Sequence, residues 1–208
     1  MKNRHGSPFA AAALAATVMI ALQQPARAHD RTAPEVPAKI QVPEGNRMFL
    51  QGHAFGTQNY ICLPSSSGFS WTLFGPQATL FNGEGRQIIT HFLSANPAEN
   101  GLPRATWQHA RDTSSVWAQA IASSTDPAFV APGAIPWLLL QSVGLQEGPT
   151  GGDTLTRTTY IHRVNTAGGI APATGCALST DVGKRALVPY AADYIFYRRS
   201  NGDADDDR

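Results

Sequence analysis

The sequence predicts an all-β, mainly antiparallel fold, a single β-sandwich or barrel-like domain with long loops and at most one or two short helices. Two observations support this prediction. Short apolar runs, rich in β-branched and aromatic residues, alternate with clusters of Gly, Pro, Asn and Ser. No segment carries an apolar stripe of helical period over the length of a core helix. Short strands at regular spacing are typical of sandwiches and barrels.

The predicted strands follow one another along the whole domain. Asn82-Gly83-Glu84-Gly85 separates two of them and should form a hairpin turn, because Asn and Gly tolerate a positive φ. Residues 117–124 could form a short helix instead of a strand, and residues 94–104 are predicted to form an exposed polar loop. The ten candidate strands are 47–55, 57–63, 69–74, 78–81, 86–93, 105–109, 115–122, 137–143, 155–164 and 187–198.

The N-terminal 28 residues have the layout of a secretory signal peptide. Lys2 and Arg4 precede an uncharged apolar run over residues 9–22, and Ala26-Arg27-Ala28 provides a small-x-small cleavage signature. The run is shorter than the roughly 18 residues that a membrane-spanning helix requires. The sequence therefore predicts an exported protein, periplasmic or extracellular, with no membrane span and with residues 1–28 removed.

The rest of the chain divides into three predicted parts. These are an extended, Pro-rich lead-in over residues 29–43, the β-domain over residues 44–199 and a disordered acidic tail over residues 200–208. Loss of Lys2, Arg4 and Arg27 reduces the 16 basic residues to 13, against 15 acidic ones. Since no basic stripe stands out, nucleic-acid binding is not predicted.

Two cysteines, Cys62 and Cys176, remain after export, and we predict that they are joined in an oxidising compartment. A crosslink across more than 100 residues stabilises a fold by about 4 to 5 kcal/mol in the chain-entropy treatment. The alternative is two separate buried thiols. Neither cysteine has a second Cys or a His at chelating spacing, so neither a metal site nor a cofactor is predicted from this pair.

Several sequence landmarks occur in order along the domain. They are Gly56-Thr57-Gln58-Asn59-Tyr60-Ile61-Cys62, Pro76-Gln77-Ala78-Thr79-Leu80, His91, Trp107, Ile135-Pro136-Trp137-Leu138-Leu139-Leu140, Tyr160-Ile161-His162-Arg163-Val164-Asn165-Thr166-Ala167-Gly168-Gly169, Gly175-Cys176 and Val188-Pro189-Tyr190-Ala191-Ala192-Asp193-Tyr194. With them the chain resembles domain of unknown function family 3455, which occurs in exported bacterial and fungal proteins. The resemblance spans roughly residues 43–198 and implies little about function.

Two features depart from the pattern of that family. The segment 94–104 is longer than expected between His91 and Trp107, and Thr113 stands where an Asp-Gly-Ser turn is usual. Some fungal relatives carry the label malate dehydrogenase, which this sequence does not support. A dinucleotide-binding enzyme needs a strand, a G-x-G-x-x-G turn and a helix, whereas Gly83-Glu84-Gly85 is only a G-x-G inside a hairpin turn.

The leading hypothesis for function is a non-enzymatic domain that binds a small molecule, a glycan or an envelope component. The candidate surface contains Arg104, Trp107 and His109, with His91 as a further candidate. Trp107 and His109 share one strand face, and a flat indole beside polar groups is suited to stacking against a sugar ring. The simpler interpretation is a core tryptophan beside a surface salt bridge.

The alternative hypothesis is a metal-dependent or hydrolytic envelope enzyme that uses His91, His109 and His162. No H-x-H or H-E-x-x-H spacing occurs, so these residues would have to converge from separate strands. Asp193 lies between apolar neighbours and should either pair with an Arg or have a perturbed pKa. Cleavage after Ala28 would also leave His29 as an N-terminal residue able to chelate copper with a second histidine.

Overall fold

The computed structural model describes residues 33–200, which form eight antiparallel strands closed into a barrel. Each strand pairs with its neighbours in sequence, and the first strand also pairs with the last. The strands are β1 (Asn46–Ser65), β2 (Gly68–Phe81), β3 (Gln87–Asn96), β4 (Leu102–His109), β5 (Ser115–Ser124), β6 (Trp137–Gln146), β7 (Tyr160–Gly168) and β8 (Arg185–Arg199). Helical structure in the described residues is limited to 3-10 turns at Ala38–Ile40, Pro97–Glu99 and Ser179–Asp181. The predicted all-β, antiparallel and barrel-like fold is confirmed.

Eight strands replace the ten predicted from the sequence, because two glycine-containing stretches do not end a strand. At Gly56 in β1, an added Cβ would collide with the Gln77 carbonyl oxygen of β2, so glycine permits the strands to approach closely. At Gly75 in β2, φ is 147°, and the register shifts just beyond its partner Asn59. A bulge of this kind bends a strand without ending it.

The segment 94–104 is not the long loop that the sequence predicts. Strand β3 continues to Asn96 and β4 begins at Leu102, so only one 3-10 turn separates the two strands. Asn100 and Gly101 both have a positive φ, of 54° and 83°, which allows the chain to reverse tightly. Asn96, which precedes this turn, is fully buried, and its side-chain amide donates to Glu99 and to the Val143 carbonyl oxygen.

Two other local predictions can be compared with the structure. The hairpin turn at residues 82–85 is confirmed, since β2 ends at Phe81 and β3 begins at Gln87. The side-chain oxygen of Asn82 accepts hydrogen bonds from the backbone N–H groups of Glu84 and Arg86. Residues 117–124 form part of β5 rather than a helix.

Alternate side chains of the strands fill the interior of the barrel. In β8, the buried side chains of Tyr190, Ala192, Tyr194 and Phe196 belong to the interior cluster. Each large apolar side chain buried in this way contributes about 1.5–3 kcal/mol relative to its exposed state. The other buried members of the interior cluster are Ala54, Ala78, Leu80, Ile89, Trp107, Val116, Ala118, Ile135, Leu140, Leu155 and Ile161.

A second apolar cluster contains side chains from the opposite faces of β7 and β8, among them Val164 and Ile195. Ile40 from the predicted lead-in is fully buried in this cluster, which also contains Trp137. Val130, from the segment between β5 and β6, packs there as well. The described part of the lead-in is therefore held against the β-domain rather than extending freely from it.

The predicted disulfide between Cys62 and Cys176 is confirmed, with a Cα–Cα distance of 5.5 Å and a sequence separation of 114 residues. It joins the C-terminal part of β1 to the connection between β7 and β8. Backbone hydrogen bonds reinforce the attachment, since the Cys62 N–H donates to Lys184 and the Gly183 N–H donates to Cys62. The bond therefore ties the longest strand of the barrel to its last connection.

The predicted signal peptide over residues 1–28 lies outside the described residues, as do His29 and residues 201–208 of the acidic tail. Across residues 33–200, no helix has both the length and the apolar character needed to cross a membrane.

Candidate functional site

Trp107 and His91 are brought together by strand pairing, but they lie inside the barrel. The two residues are direct partners in the β3–β4 ladder, and their rings stack with centroids 4.1 Å apart. Trp107 is 0% exposed and His91 is 2% exposed. The Trp107 indole is therefore not available on the outer surface predicted to bind a ligand. Trp107 instead occupies the core, as in the alternative interpretation of the sequence.

The surroundings of His91 fix its protonation state. Its Nδ1 lies 2.8 Å from the Thr106 carbonyl oxygen, which can only accept, so Nδ1 carries the proton of the neutral ring. Burial lowers the pKa of His91 to about 3, although the Thr106 hydrogen bond opposes this effect. His91 is therefore neutral at any physiological pH.

Polar groups accumulate around this stacked pair. The Trp107 indole N–H is buried without a hydrogen-bond partner among the described residues. Arg163 donates from Nε and Nη2 to the Pro136 carbonyl oxygen, at 3.3 Å and 2.9 Å. Burial raises the pKa of Tyr190 and Tyr194, while the positive charge of Arg163 acts in the opposite direction. Because burial has the larger effect, both tyrosine hydroxyls stay protonated.

Arg104 and His109 lie toward opposite ends of β4 and each pairs with a nearby carboxylate. Arg104 donates to Glu99 from Nε and Nη2, at 2.7 Å and 2.6 Å. These hydrogen bonds lower the pKa of Glu99 to about 2. The Nδ1 of His109 lies 3.0 Å from Asp112. The structure therefore does not bring the four predicted site residues to one surface.

Asp112 anchors the connection between β6 and β7. Its two carboxylate oxygens accept hydrogen bonds from the backbone and side chain of both Ser114 and Thr154. Burial alone would raise the pKa of Asp112, but these hydrogen bonds outweigh it and hold the pKa well below its usual range. The His109–Asp112 pair therefore belongs to a structural network.

His162 lies in a different environment from His91 and His109. It packs beneath the lead-in, where its Nε2 donates to the Ile40 carbonyl oxygen at 2.7 Å and its Nδ1 lies 3.0 Å from the Tyr197 hydroxyl. Among residues 33–200, no group of three or more His, Cys, Asp or Glu side chains is arranged to hold a metal ion. The three histidines of the enzyme hypothesis therefore do not form a common metal centre within this part of the chain.

Asp193 pairs with a histidine rather than with the predicted arginine. His53 and Asp193 are partners in the β1–β8 ladder, and Nδ1 of His53 lies 2.6 Å from the carboxylate. The side-chain amide of Asn165 donates to the other carboxylate oxygen at 2.8 Å. This trio lies on the outer side of β8, because its neighbours Ala192 and Tyr194 face the interior cluster.

A cleft lined mainly by arginine was not predicted from the sequence. It has a volume of about 290 Å³ and is lined by Thr159 and four arginines, namely Arg47, Arg157, Arg198 and Arg199. Arg157 lies 3.8 Å from Asp153, and both of these side chains are more than half exposed. The other three arginines form no ion pair with any carboxylate of residues 33–200. We call this feature the arginine cleft.

Strand register brings these arginines together. Arg47 is the direct partner of Arg198 where β1 meets the end of β8, so their side chains project from the same face. Arg198 stacks over the Phe49 ring at 5.6 Å, and its Nε is buried without a hydrogen-bond partner among the described residues. Like charges directly opposite each other are destabilising in a sheet. The arrangement therefore has an electrostatic cost that a bound anion would remove.

Comparisons with known proteins identify the family of the chain. The family described as "Protein of unknown function (DUF3455)" matches residues 43–198. The chain belongs to this family. The DUF3455 match begins just before β1 and ends one residue before the end of β8, so it contains the whole barrel except Arg199. No curated protein and no solved structure was found to match the chain.

The sequence of this DUF3455 domain carries only a weak signal for the arginine cleft. Arg198 and Arg199 are adjacent, but Arg47 and Arg157 are distant from them in the chain. The near-neutral composition also conceals a local excess of positive charge. Only the pairing of β1 with β8, together with the position of the 157–159 segment, shows that these charges line one cleft.

Proposed function

We propose that this DUF3455 domain is a non-enzymatic, exported binding domain whose ligand carries a phosphate-type anionic group held in the arginine cleft. One observation carries the proposal: four arginines line a single cleft, and three of them lack a carboxylate partner among residues 33–200. This retains the class of function that the sequence predicts and places the site at the meeting point of β1 and β8. The disulfide supports export, because such bonds persist in oxidising compartments.

The chemistry of arginine favours a tetrahedral oxyanion as the ligand. A planar guanidinium presents several N–H donors in a rigid fork, which matches the oxygens of phosphate. Arg198 is already oriented by its contact with Phe49, so less side-chain freedom is lost when it binds. Thr159 also lines the cleft, but its hydroxyl is engaged by Asn46 and Tyr197, so the arginines supply the donors for the anion.

Trp107 and the histidines are poorly placed to bind an external ligand. Trp107 is fully buried, and His91 is held neutral against it inside the barrel. Arg104 and His109 already have carboxylate partners. The arginine cleft, in contrast, is open and positively charged, and within residues 33–200 only Arg157 of its four arginines lies near a carboxylate.

The test is isothermal titration of the mature chain with inorganic phosphate, for the parent protein and two double variants. Arg47→Gln with Arg199→Gln removes two charges from the cleft, while Arg86→Gln with Arg111→Gln removes two exposed charges elsewhere. Hydrogen bonds to charged groups contribute about 1.5–3 kcal/mol each. We therefore expect the cleft variant to bind phosphate at least about tenfold more weakly, since about 1.4 kcal/mol corresponds to a factor of ten.

The control variant should bind phosphate as the parent does, because it preserves the cleft while reducing the net charge equally. An equal loss of affinity in both variants would show that phosphate responds to overall charge, and this would refute the proposal. Absence of phosphate binding by the parent at millimolar concentration would also refute it.

A further inference from the structure

A second cleft adjoins the arginine cleft and shares two of its lining residues, Thr159 and Arg199. Its volume is about 340 Å³. Besides the shared pair, its walls include Gln141, Ser142 and Tyr160. An anion held in the arginine cleft would therefore have open space beside it for the remainder of a larger ligand.

The walls of this second cleft contain polar groups that the protein does not use for its own hydrogen bonds. Asn46 and Thr159 are engaged internally, since the Thr159 hydroxyl lies 2.7 Å from the Asn46 side-chain oxygen. The side chains of Gln141, Ser142 and Tyr160, in contrast, make no hydrogen bond to another described residue. Because these three residues line the cleft, their amide and hydroxyl groups are candidate donors and acceptors for ligand hydroxyl groups.

The second cleft also contains apolar surface and one carboxylate. Leu145 is 46% exposed there, and the Tyr160 ring adds a flat surface of the kind that packs against sugar C–H groups. Glu44 lies in the same wall. Its carboxylate can accept hydrogen bonds from hydroxyls and repels a second anionic group. These features favour a neutral, hydroxylated body attached to a single anionic group.

From this geometry we infer that the ligand is a sugar phosphate, with its phosphate in the arginine cleft and its sugar ring in the adjoining cleft. This inference rests on the proposed function and adds the chemical class of the ligand. Arg199 and Thr159 lie at the junction, where the phosphate ester joins the sugar. The shared chemistry is a phosphorylated sugar, either free in solution or as the headgroup of a phosphorylated glycolipid.

The experiment compares the binding of glucose 1-phosphate, methyl phosphate and glucose to the mature chain by isothermal titration. We expect glucose 1-phosphate to bind at least tenfold more tightly than methyl phosphate, and glucose alone to bind much more weakly than either. Gln141→Ala with Ser142→Ala should remove this advantage while methyl phosphate binding stays within twofold of the parent. Ser70→Ala with Gln77→Ala is the control, since it removes the same two polar groups from exposed positions on β2.

The two proposals fail in different ways. Equal affinity for glucose 1-phosphate and methyl phosphate would overturn the sugar assignment while leaving the phosphate site intact. The sugar assignment would also be overturned if the Gln141 and Ser142 changes weakened both ligands equally. If none of the phosphorylated probes binds, the proposed function itself would be overturned.

A second arm of the experiment distinguishes the two sources of the ligand. The mature chain is sedimented with phosphatidylcholine vesicles, with and without lipid A, which presents phosphorylated glucosamine at a membrane surface. Lipid A-dependent sedimentation that is lost in the Arg47→Gln, Arg199→Gln variant would support a glycolipid headgroup as the ligand. Binding of free glucose 1-phosphate without sedimentation would support a soluble ligand of the same class.

Discussion

Removal of the Cys62–Cys176 bond should lower the stability of the barrel by several kcal/mol. The crosslink spans 114 residues, and the chain-entropy relation for a loop of that size gives about 16 cal/mol/K of lost unfolded-state entropy. At 25 °C this corresponds to about 4.8 kcal/mol. A typical domain has a total stability of about 5–15 kcal/mol, so the loss should be a large fraction of the whole.

The assay is urea unfolding of the parent and of the Cys62→Ala, Cys176→Ala double variant, followed by tryptophan fluorescence. With a denaturant slope of about 2 kcal/mol/M, the midpoint should fall by roughly 2 M. Reductant should destabilise the parent to a similar extent and leave the variant unchanged. A loss below about 1 kcal/mol would refute the reasoning, because it would mean that the crosslink does not restrict the unfolded chain.

Two further predictions concern single side chains. His91 has a pKa lowered from 6.5 to about 3, so the unfolded chain binds a proton that the folded chain does not, and stability falls as the pH drops below about 6.5. His91→Phe should therefore reduce the slope of stability against pH between pH 6 and 4.5 by about 1.4 kcal/mol per pH unit, measured by urea unfolding. Thr113 has a φ of 58°, which is strained for a β-branched residue, so Thr113→Gly should raise stability by about 0.5–1 kcal/mol in thermal unfolding.

For both His91→Phe and Thr113→Gly, one result would contradict the expectation. An unchanged pH slope in His91→Phe would show that His91 is protonated in the folded protein, contrary to its burial against Trp107. A lower melting temperature for Thr113→Gly would show that the Thr113 side chain contributes more than its backbone strain costs. That side chain makes a hydrogen bond of 2.8 Å to the adjacent Asp112 carbonyl oxygen.

Much of the fold could be predicted from the alternation of apolar and polar residues. This pattern identified all eight strand regions and the turn at residues 82–85, because both depend on local sequence. It divided β1 and β2 incorrectly, since Gly56 and Gly75 resemble strand ends in sequence. Their role depends on the closeness of a neighbouring strand and on a bulge, neither of which is a local property.

The candidate site could be predicted less well, because it depends on contacts between distant parts of the chain. Trp107 and His109 share a strand face, but the sequence does not show that closure of the barrel places Trp107 inside. Arg47 and Arg198 are 151 positions apart, from 47 to 198, and become direct partners only through the β1–β8 ladder. Their common cleft is therefore a product of topology rather than of a sequence motif.

The most direct test of the arginine cleft is an NMR titration of the arginine Nε–H resonances with inorganic phosphate. We predict saturable shifts of the Arg47, Arg198 and Arg199 signals, because these three side chains line the cleft and have no carboxylate partner among the described residues. The Arg86 signal should stay in place, because this side chain is exposed and paired with Glu84. Uniform, non-saturating shifts of all arginine signals, or no shift of Arg198, would contradict the account.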